Sequence, residues 1–155
     1  MRLALIQLAP RLLEVDANVQ SALAMMESVE ADLYLLPELF ASGYTFATRA
    51  EAEQTAEEAG AGPVFAAMFG FARRRRTHVV YGFAERGAQR LYNSASVVGP
   101  QGHLGTYRKI HLFSREKLFF DGGKSPAPTF DLPFGRIGLM ICFDWFFPEV
   151  ARGLA

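Results

Sequence analysis

The 155-residue chain has the length and composition of one folded domain. Half of its residues are hydrophobic and 14 residues are phenylalanine, a composition that excludes an intrinsically disordered chain. Sixteen basic residues balance sixteen acidic ones, so no overall electric field draws the protein to nucleic acid or to an anionic membrane. We therefore expect no nucleic-acid or membrane partner and look for function in local sites.

The chain also lacks the features of a secreted or membrane-spanning protein. No apolar stretch approaches the roughly 18 residues that span a bilayer. The first ten residues, MRLALIQLAP, contain no small-residue cleavage site of a secretory signal. The single cysteine, Cys142, cannot form an internal disulfide, which is typical of a reducing compartment. These features predict a cytoplasmic protein.

The first half of the chain alternates between apolar runs and helical patterns, which indicates an α/β fold. Apolar runs predict buried strands at residues 2–9, 32–36 and 78–84. We expect the first of these strands to be buried on both faces. Helical patterns lie between the runs, at residues 16–29 and 63–76. Asp16 can cap the first helix, and Pro63 fits the first turn of the second.

The second half of the chain adds an antiparallel hairpin. Two strand-like runs, 91–98 and 103–107, flank the turn-prone segment Gly99–Gly102, so we expect a mixed sheet. The pattern then predicts an extended segment, a buried strand and a helix, at residues 125–133, 136–142 and 148–154. Since no linker or repeat interrupts the pattern, residues 1 to 155 are expected to form a single domain.

Glu38 is a candidate general base. It follows directly on the second predicted strand, in the segment LPELF. Its apolar neighbours would desolvate the carboxylate and raise its pKa into a useful range for proton transfer. A carboxylate that points into solvent from a loop is the alternative that this residue alone leaves open.

Cys142 is a candidate nucleophile, because it lies where a predicted strand gives way to a turn. A lone cysteine in an apolar strand is also commonly an inert core residue, so its position leaves both roles open. A thiol has a pKa near ~8.5 and needs a proton acceptor or a favourable field before it attacks carbon efficiently. A catalytic Cys142 therefore requires a partner elsewhere in the chain.

The three histidines are weak candidates for that partner. None lies in a local sequence typical of papain-like or caspase-like proteases. His78 opens a predicted strand and His103 lies beside the hairpin turn, so we expect both to be structural. A cysteine protease that pairs Cys142 with His111 is the remaining histidine alternative.

Lys109 is the candidate cation. It closes the strand-like run GTYRK and could donate hydrogen bonds to a developing oxyanion while favouring a nearby thiolate. An ordinary edge-strand lysine is the alternative. Glu116, seven residues further on, could orient this lysine or the substrate.

Three segments of the chain resemble, in order and spacing, the motif regions of the nitrilase superfamily of carbon-nitrogen hydrolases. They are LPELFASGY (Leu36 to Tyr44), YRKIHLF (Tyr107 to Phe113) and GLMICFDWFFPEVAR (Gly138 to Arg152). The resemblance extends over the whole chain, although family members continue well past residue 155. It implies an α/β fold, the four-layer α-β-β-α sandwich of the nitrilase type, here incomplete.

The resemblance also implies the site residues. Glu38, Lys109 and Cys142 match the catalytic triad of the family, and Glu116, in SREKLFFDGG, is similar to its second glutamate. By the same resemblance, the backbone N–H of Phe143 is an oxyanion donor and Tyr44 contacts the substrate. No metal or organic cofactor is implied. Helices that flank the nucleophile, here residues 143–152, are expected to form a homodimer or a higher homo-oligomer.

The resemblance implies that the chain hydrolyses a non-peptide C–N bond in a small amide, through a thioester on the cysteine. A nitrilase that acts on small aliphatic nitriles is the alternative, because the same triad serves both reactions. A further hypothesis is a non-catalytic fragment or interaction module. A chain that ends at residue 155 would then expose apolar faces, and we expect it to self-associate and show little turnover.

Overall fold

The computed structural model describes all 155 residues. Its strands and helices are β1 (Leu3–Leu5), α1 (Val15–Glu27), β2 (Leu33–Leu35), α2 (Arg49–Thr55), α3 (Pro63–Arg75), β3 (His78–Arg86), β4 (Leu91–Gly99), β5 (Gly102–Arg108), β6 (Thr129–Leu132), β7 (Gly135–Gly138) and α4 (Pro148–Leu154). Two 3₁₀ helices cover Ser114–Leu118 and Cys142–Phe146. The longest helices have 13 residues, and none combines the length and apolarity of a membrane span.

Strands β1 to β5 form one five-stranded sheet in sequence order. The first three strands are parallel to one another, whereas the pairs β3–β4 and β4–β5 are antiparallel. The α/β class, the mixed sheet and the hairpin of β4 and β5 are therefore confirmed. Because β1 and β2 are parallel, their carboxyl ends lie at one edge of the sheet, where α/β folds place their sites.

Helices α1 and α3 cover one face of this sheet. Met26 of α1 and Met68 of α3 are fully buried in a core cluster of 17 residues. Tyr34 of β2 meets Phe71 of α3 edge to face, with ring centroids 5.0 Å apart. Each large apolar side chain buried here contributes about 1.5–3 kcal/mol of stabilisation. This packing fixes the sheet on which the candidate site is built.

The small antiparallel sheet of β6 and β7 covers part of the opposite face. Phe130 and Ile137 pack against a buried cluster that includes Val80, Val97 and Tyr107 of the main sheet. Successive strand residues point to opposite sides. Gly138 therefore faces outward, and the side chain of Leu154 in α4 fills the space where a Cβ on this glycine would lie. The order helix, sheet, sheet and helix is that of the nitrilase-type sandwich, present in part.

Two predictions about the N-terminal elements are wrong. Asp16 does not cap α1: the N-cap residue is Glu14, which makes no side-chain cap bond, and Asp16 lies in the first turn near the positive end of the helix dipole. The first strand is not buried on both faces, since Leu3 and Leu5 are 46% and 58% exposed. Within β1 only Ala4, which packs in the same cluster as the helices, is buried.

The strand predicted at residues 136–142 is shorter and more exposed than expected. It comprises Gly135–Gly138 and pairs only with β6, outside the main sheet. The side chain of Arg136 is exposed and forms an ion pair with Asp131 at 2.7 Å. The apolar run continues beyond the strand, where Leu139 and Ile141 are buried without forming ladder pairs. In this segment the apolar residues of the sequence correctly indicated burial, but they did not indicate which residues pair as a strand.

Candidate active site

Glu38 lies just past the end of β2, as predicted. The next residue, Leu39, adopts the left-handed conformation with φ of 52°, so the chain turns sharply after the carboxylate. A Cβ on Gly82 of β3 would lie 2.7 Å from the Cα of Glu38. The absence of a side chain at position 82 therefore lets the Glu38 segment pack directly on β3.

Lys109 follows β5, and its side chain is completely buried. Its Nζ donates to Oε1 of Glu38 at 2.6 Å and to Oε1 of Glu116 at 2.9 Å. Burial on its own lowers the pKa of Lys109, but the hydrogen bonds and charges of the two carboxylates outweigh it and hold this pKa above its ordinary value. The lysine is thus a fixed ammonium between two acids, and not an edge-strand lysine.

Glu116 is buried in the 3₁₀ helix Ser114–Leu118 and organises one side of the site. Its Oε2 accepts the backbone N–H of Phe113 at 2.8 Å, and its Oε1 accepts the hydroxyl of Tyr44 at 2.7 Å. Burial and the contact with Glu116 raise the pKa of Tyr44. Glu116 therefore orients both Lys109 and Tyr44. The hydroxyl of Tyr44 donates to Glu116, and the tyrosine residue stays partly exposed.

Sequence reasoning missed Asn93, which completes the charged cluster. It is fully buried in β4, and its Nδ2 donates to Oε1 of Glu38 at 2.6 Å and to Oε1 of Glu116 at 3.2 Å. Its Oδ1 has no partner. The available signal was an asparagine inside a strand-like run, LYNSASVV, because asparagine is depleted from strands.

The surroundings of Glu38 raise its pKa, as suits a general base. Burial raises the pKa of Glu38, and the charge of Glu116 raises it further. Contacts with Lys109 and Asn93 oppose this increase, yet the pKa of Glu38 remains above its ordinary value. A carboxylate in this state exchanges a proton more readily near neutral pH than an exposed one.

Cys142 begins the 3₁₀ helix Cys142–Phe146 in the left-handed conformation, with φ of 41°. A residue with a side chain in this conformation is strained by about 1–3 kcal/mol, a feature that clusters at functional sites. Cys142 and Glu38 line the same cavity of about 210 Å³. Burial and Glu38 raise the pKa of Cys142, whereas Lys109 lowers it. The charges of Glu38 and Lys109 therefore shift the pKa of the thiol in opposite directions.

Phe143, the expected oxyanion donor, lies beside Cys142 in an aromatic group. Its ring contacts Phe113 at 5.0 Å and Phe147 at 5.5 Å between centroids. These contacts fix the orientation of the residue whose backbone N–H was predicted to stabilise the oxyanion. Its role as a donor stays a prediction.

The polar contacts of the histidines do not include Cys142. His103 contacts Thr106 at 2.9 Å, and Nδ1 of His111 lies 2.9 Å from Asp144 while its ring stacks on Phe147. His78 is buried against Phe134, and this burial lowers its pKa. That His78 and His103 have structural roles stays a prediction.

A second cavity borders the charged cluster. It has a volume of about 200 Å³ and is lined by Tyr44, Thr45, Phe46, Phe113, Ser114, Arg115, Glu116, Phe119 and Phe120. An apolar cavity of about 150 Å³ binds benzene, so this one has room for a small organic group. No group of three or more His, Cys, Asp or Glu side chains is arranged to hold a metal ion. The arrangement suits covalent catalysis on a small carbonyl or nitrile compound.

The chain matches the family model described as carbon-nitrogen hydrolase over residues 2–155. It therefore belongs to the carbon-nitrogen hydrolase family, the nitrilase superfamily that the three motifs resemble.

Individual relatives are consistent with this membership. A nitrilase of Pyrococcus abyssi is 46% identical over 99% of this chain and 60% of its own length. The human omega-amidase NIT2 is 34% identical over 97% of this chain and 58% of its own. The crystal structure of an amidase from Nesterenkonia sp. matches with a TM-score of 0.79 and 26% identity, over 98% of this chain and 59% of that one. The chain thus spans about 60% of the length of these relatives.

Proposed function

We propose that the protein hydrolyses a non-peptide C–N bond in a small amide, using Cys142 as the nucleophile and forming a thioester intermediate. The observation that carries this proposal is the buried Lys109, whose Nζ lies 2.6 Å from Glu38 and 2.9 Å from Glu116. A fully buried ammonium costs several kcal/mol of desolvation, so its retention beside a strained cysteine favours a chemical role over a structural one.

In the first half of the reaction, Glu38 takes the thiol proton and Sγ of Cys142 adds to the amide carbon. The ammonium of Lys109 and the backbone N–H of Phe143 stabilise the oxyanion that forms. Glu38 then returns the proton to the leaving nitrogen, so that ammonia or an amine departs and the thioester remains.

In the second half, water attacks the thioester carbon. Glu38 accepts a proton from this water, and the intermediate collapses with Cys142 as the leaving group. The thiolate recovers its proton from Glu38, and the carboxylic acid is released. Two hydrogen bonds hold the catalytic groups in place throughout: Glu116 accepts from Lys109, and Asn93 donates to Glu38.

Nitrile hydrolysis is the second candidate, favoured by the 46% identity to the nitrilase of Pyrococcus abyssi. The same thiol would add to the nitrile carbon and give a thioimidate, which water converts to the acid and ammonia. The acyl or alkyl part of either substrate would occupy the cavity beside Tyr44 and Phe113.

A substrate panel tests the proposal. Ammonia release is measured with butanamide, glutaramate, N-carbamoyl-β-alanine and glutaronitrile, and intact mass spectrometry detects an acyl adduct on Cys142. We expect acid and ammonia from at least one amide, and no adduct on a Cys142→Ala variant. Turnover of nitriles alone would replace the amidase proposal by the nitrilase one, and an equally active Cys142→Ala variant would contradict both.

We further propose that the protein is cytoplasmic and associates with a second copy of itself. The exposed rings of Trp145 and Phe146, next to α4, support such a contact. Sedimentation velocity of the protein and of a Trp145→Glu variant tests it: the variant is expected to sediment as a smaller species, and identical sedimentation of the two would contradict it.

A further inference from the structure

A buried carboxylate two residues after the nucleophile takes part in no step of the mechanism above. Asp144 is fully buried, and both of its oxygens are occupied. Its Oδ2 accepts the backbone N–H of Ile141 at 3.0 Å and the hydroxyl of Tyr107 at 2.9 Å. Its Oδ1 accepts the backbone N–H of His111 at 3.0 Å and lies 2.9 Å from Nδ1 of the same residue.

These partners lie on the two segments that carry the proposed nucleophile and cation. Ile141 immediately precedes Cys142, whereas Tyr107 and His111 stand two residues before and two residues after Lys109. The single carboxylate therefore joins the turn of the nucleophile to the lysine segment on both of its sides. No other side chain accepts a backbone N–H from both segments.

An ionised carboxylate suits this task because it only accepts hydrogen bonds and can receive several donors at once. Bonds from N–H and O–H groups to a charged acceptor are stronger than those to a neutral one. An asparagine has the same shape but one acceptor oxygen, so it cannot receive the backbone N–H groups of both Ile141 and His111 with separate oxygens.

The turn needs such support because Cys142 adopts a left-handed conformation, with φ of 41°. A residue with a Cβ keeps this conformation only when its surroundings impose it. The bond from the N–H of Ile141 to Asp144 holds the residue just before the cysteine, and Asp144 itself lies in the same 3₁₀ helix.

We infer that Asp144 is a positioning residue, which sets the location of the Cys142 thiol relative to Lys109 and Glu38 by joining Ile141 to Tyr107 and His111. The inference rests on the proposed function for its catalytic consequence. Its structural part, the junction between the two segments, is measurable without turnover.

The kinetic test uses Asp144→Asn, with Asp131→Asn as the matched control. Asp131 is an exposed aspartate on β6, outside the site. A displacement of about 1 Å can reduce a rate by about 100-fold, and we expect kcat of Asp144→Asn to fall by about that factor while KM changes less than about threefold. Thermal unfolding and circular dichroism give the folded fraction. A kcat per folded molecule equal to that of Asp131→Asn would overturn the inference.

Hydrogen exchange tests the junction directly. We expect the backbone amide of Ile141 or of His111 to exchange at least about tenfold faster in Asp144→Asn than in Asp131→Asn, because one of them loses its acceptor. Unchanged exchange at both amides would overturn the inference. If the wild-type protein hydrolyses no amide or nitrile, the proposed function fails, and the exchange rates still decide whether the junction exists.

Tyr107→Phe covers the case in which Asp144→Asn does not fold, since it removes one hydroxyl and keeps the buried ring. We expect its kcat to fall about fivefold with KM nearly unchanged. Where both variants fold, the double variant should be no slower than Asp144→Asn, because the effect of Tyr107 acts through Asp144. A wild-type kcat in Tyr107→Phe, or multiplicative losses in the double variant, would contradict the inference.

Discussion

The Nζ of Lys109 lies 2.6 Å from Oε1 of Glu38, although 71 residues separate them in the chain. The lysine side chain is fully buried and the glutamate side chain is 17% exposed. An ion pair in this environment is stable only when its geometry is good and its remaining hydrogen-bonding groups find partners. Glu116 and Asn93 provide those partners, so the cluster behaves as one unit in which each change affects the others.

Removal of the nucleophile is the most direct prediction. We expect Cys142→Ala to lower kcat/KM by about 10³-fold or more, because no covalent intermediate can form. Ammonia release and the mass of the protein after incubation with substrate measure this effect. Retained turnover in the variant would contradict the role of Cys142.

The strain at Cys142 gives this prediction a matched second variant. Because φ is 41° at this position, Cys142→Gly relieves the left-handed strain that Cys142→Ala keeps. We expect the glycine variant to be equally inactive but more stable than the alanine variant by about 0.5–1 kcal/mol, after the larger unfolded-state entropy of glycine is included. Urea unfolding of both variants measures the difference. Equal or lower stability of the glycine variant would show that the turn is unstrained.

Loss of the buried cation is expected to destabilise the fold. In Lys109→Met, Glu38 and Glu116 remain buried without their counter-ion, which costs about 3–5 kcal/mol. The free energy of unfolding from urea titrations measures this loss. The loss of stability relative to the wild-type protein should be smaller at pH 5 than at pH 8, because the unpaired carboxylates bind protons in the folded state as the pH falls.

A double variant is the control for this prediction. Lys109→Met combined with Glu116→Gln removes one of the two unpaired charges, so we expect it to be more stable than Lys109→Met alone, while remaining inactive. A wild-type free energy of unfolding in Lys109→Met would mean that the ion pairs add nothing to the fold.

The motif residues could be located from the sequence because three segments resemble the motif regions of the family, and the strand pattern placed Glu38 and Lys109 at strand ends. Glu38 comes after β2 and Lys109 after β5. These two strands run in the same direction and end at the same edge of the sheet, with β3 and β4 between them. The α/β class and the mixed sheet followed from the alternation of apolar runs and from the Pro/Gly turn between β4 and β5. The chemistry of Cys142 was suggested by its place after an apolar run, although that run pairs as a strand only up to Gly138.

The supporting residues could not be predicted, because their role depends on burial and on partners distant in the chain. Asn93 and Asp144 are both fully buried, yet each is a polar residue that sequence patterns place in turns or on surfaces. Asp16 shows the reverse error, since its residue type suits a helix cap but the helix begins one residue earlier, at Val15. At these three positions tertiary contacts, and not the local preference of the residue type, determine the structural role.

The pH dependence of activity should follow Glu38. Its pKa is raised, chiefly by burial, above the ordinary value of 4.5. Glu38 must be ionised to accept the thiol proton, so kcat/KM should decrease as the pH falls through this raised pKa, at a higher pH than for an exposed glutamate. A pH profile of kcat/KM between pH 4 and 8, taken on protein shown to stay folded, measures it. The acid limb of the profile is the range in which kcat/KM decreases as the pH falls. A midpoint of this limb at or below about pH 4.5 would exclude Glu38 as the base.

Asn93 should influence that profile. Asn93→Asp places a third carboxylate beside Glu38 and Glu116 and removes a hydrogen bond that lowers the pKa of Glu38. We expect its acid limb to move to higher pH, and kcat/KM at pH 7 to fall about tenfold. Asn93→Ser also loses the hydrogen bond but adds no charge, so its limb should move less. Limbs at the same pH in all three proteins would show that Asn93 does not act on Glu38.

The close approach of β3 to the Glu38 segment makes Gly82 a sensitive position. A Cβ at residue 82 would lie 2.7 Å from the Cα of Glu38, 2.8 Å from the N of Leu39 and 2.9 Å from the O of Pro37. All three contacts are with backbone, which cannot move aside as a flexible side chain would. We therefore expect Gly82→Ala to displace the Glu38 segment, lowering stability by about 1–3 kcal/mol and kcat/KM by about 100-fold.

Gly70, in α3, is the matched control for Gly82. A Cβ at this position meets nothing within 4 Å, and the residue lies inside a helix, where alanine is favoured over glycine. Gly70→Ala should raise the free energy of unfolding by about 0.5–1 kcal/mol and leave kcat/KM unchanged. Urea unfolding and ammonia release are measured on both variants. If Gly82→Ala behaved like Gly70→Ala, the Glu38 segment would not depend on contact with β3, and its position would have to be set by the hydrogen bonds of Glu38 to Lys109 and Asn93 alone.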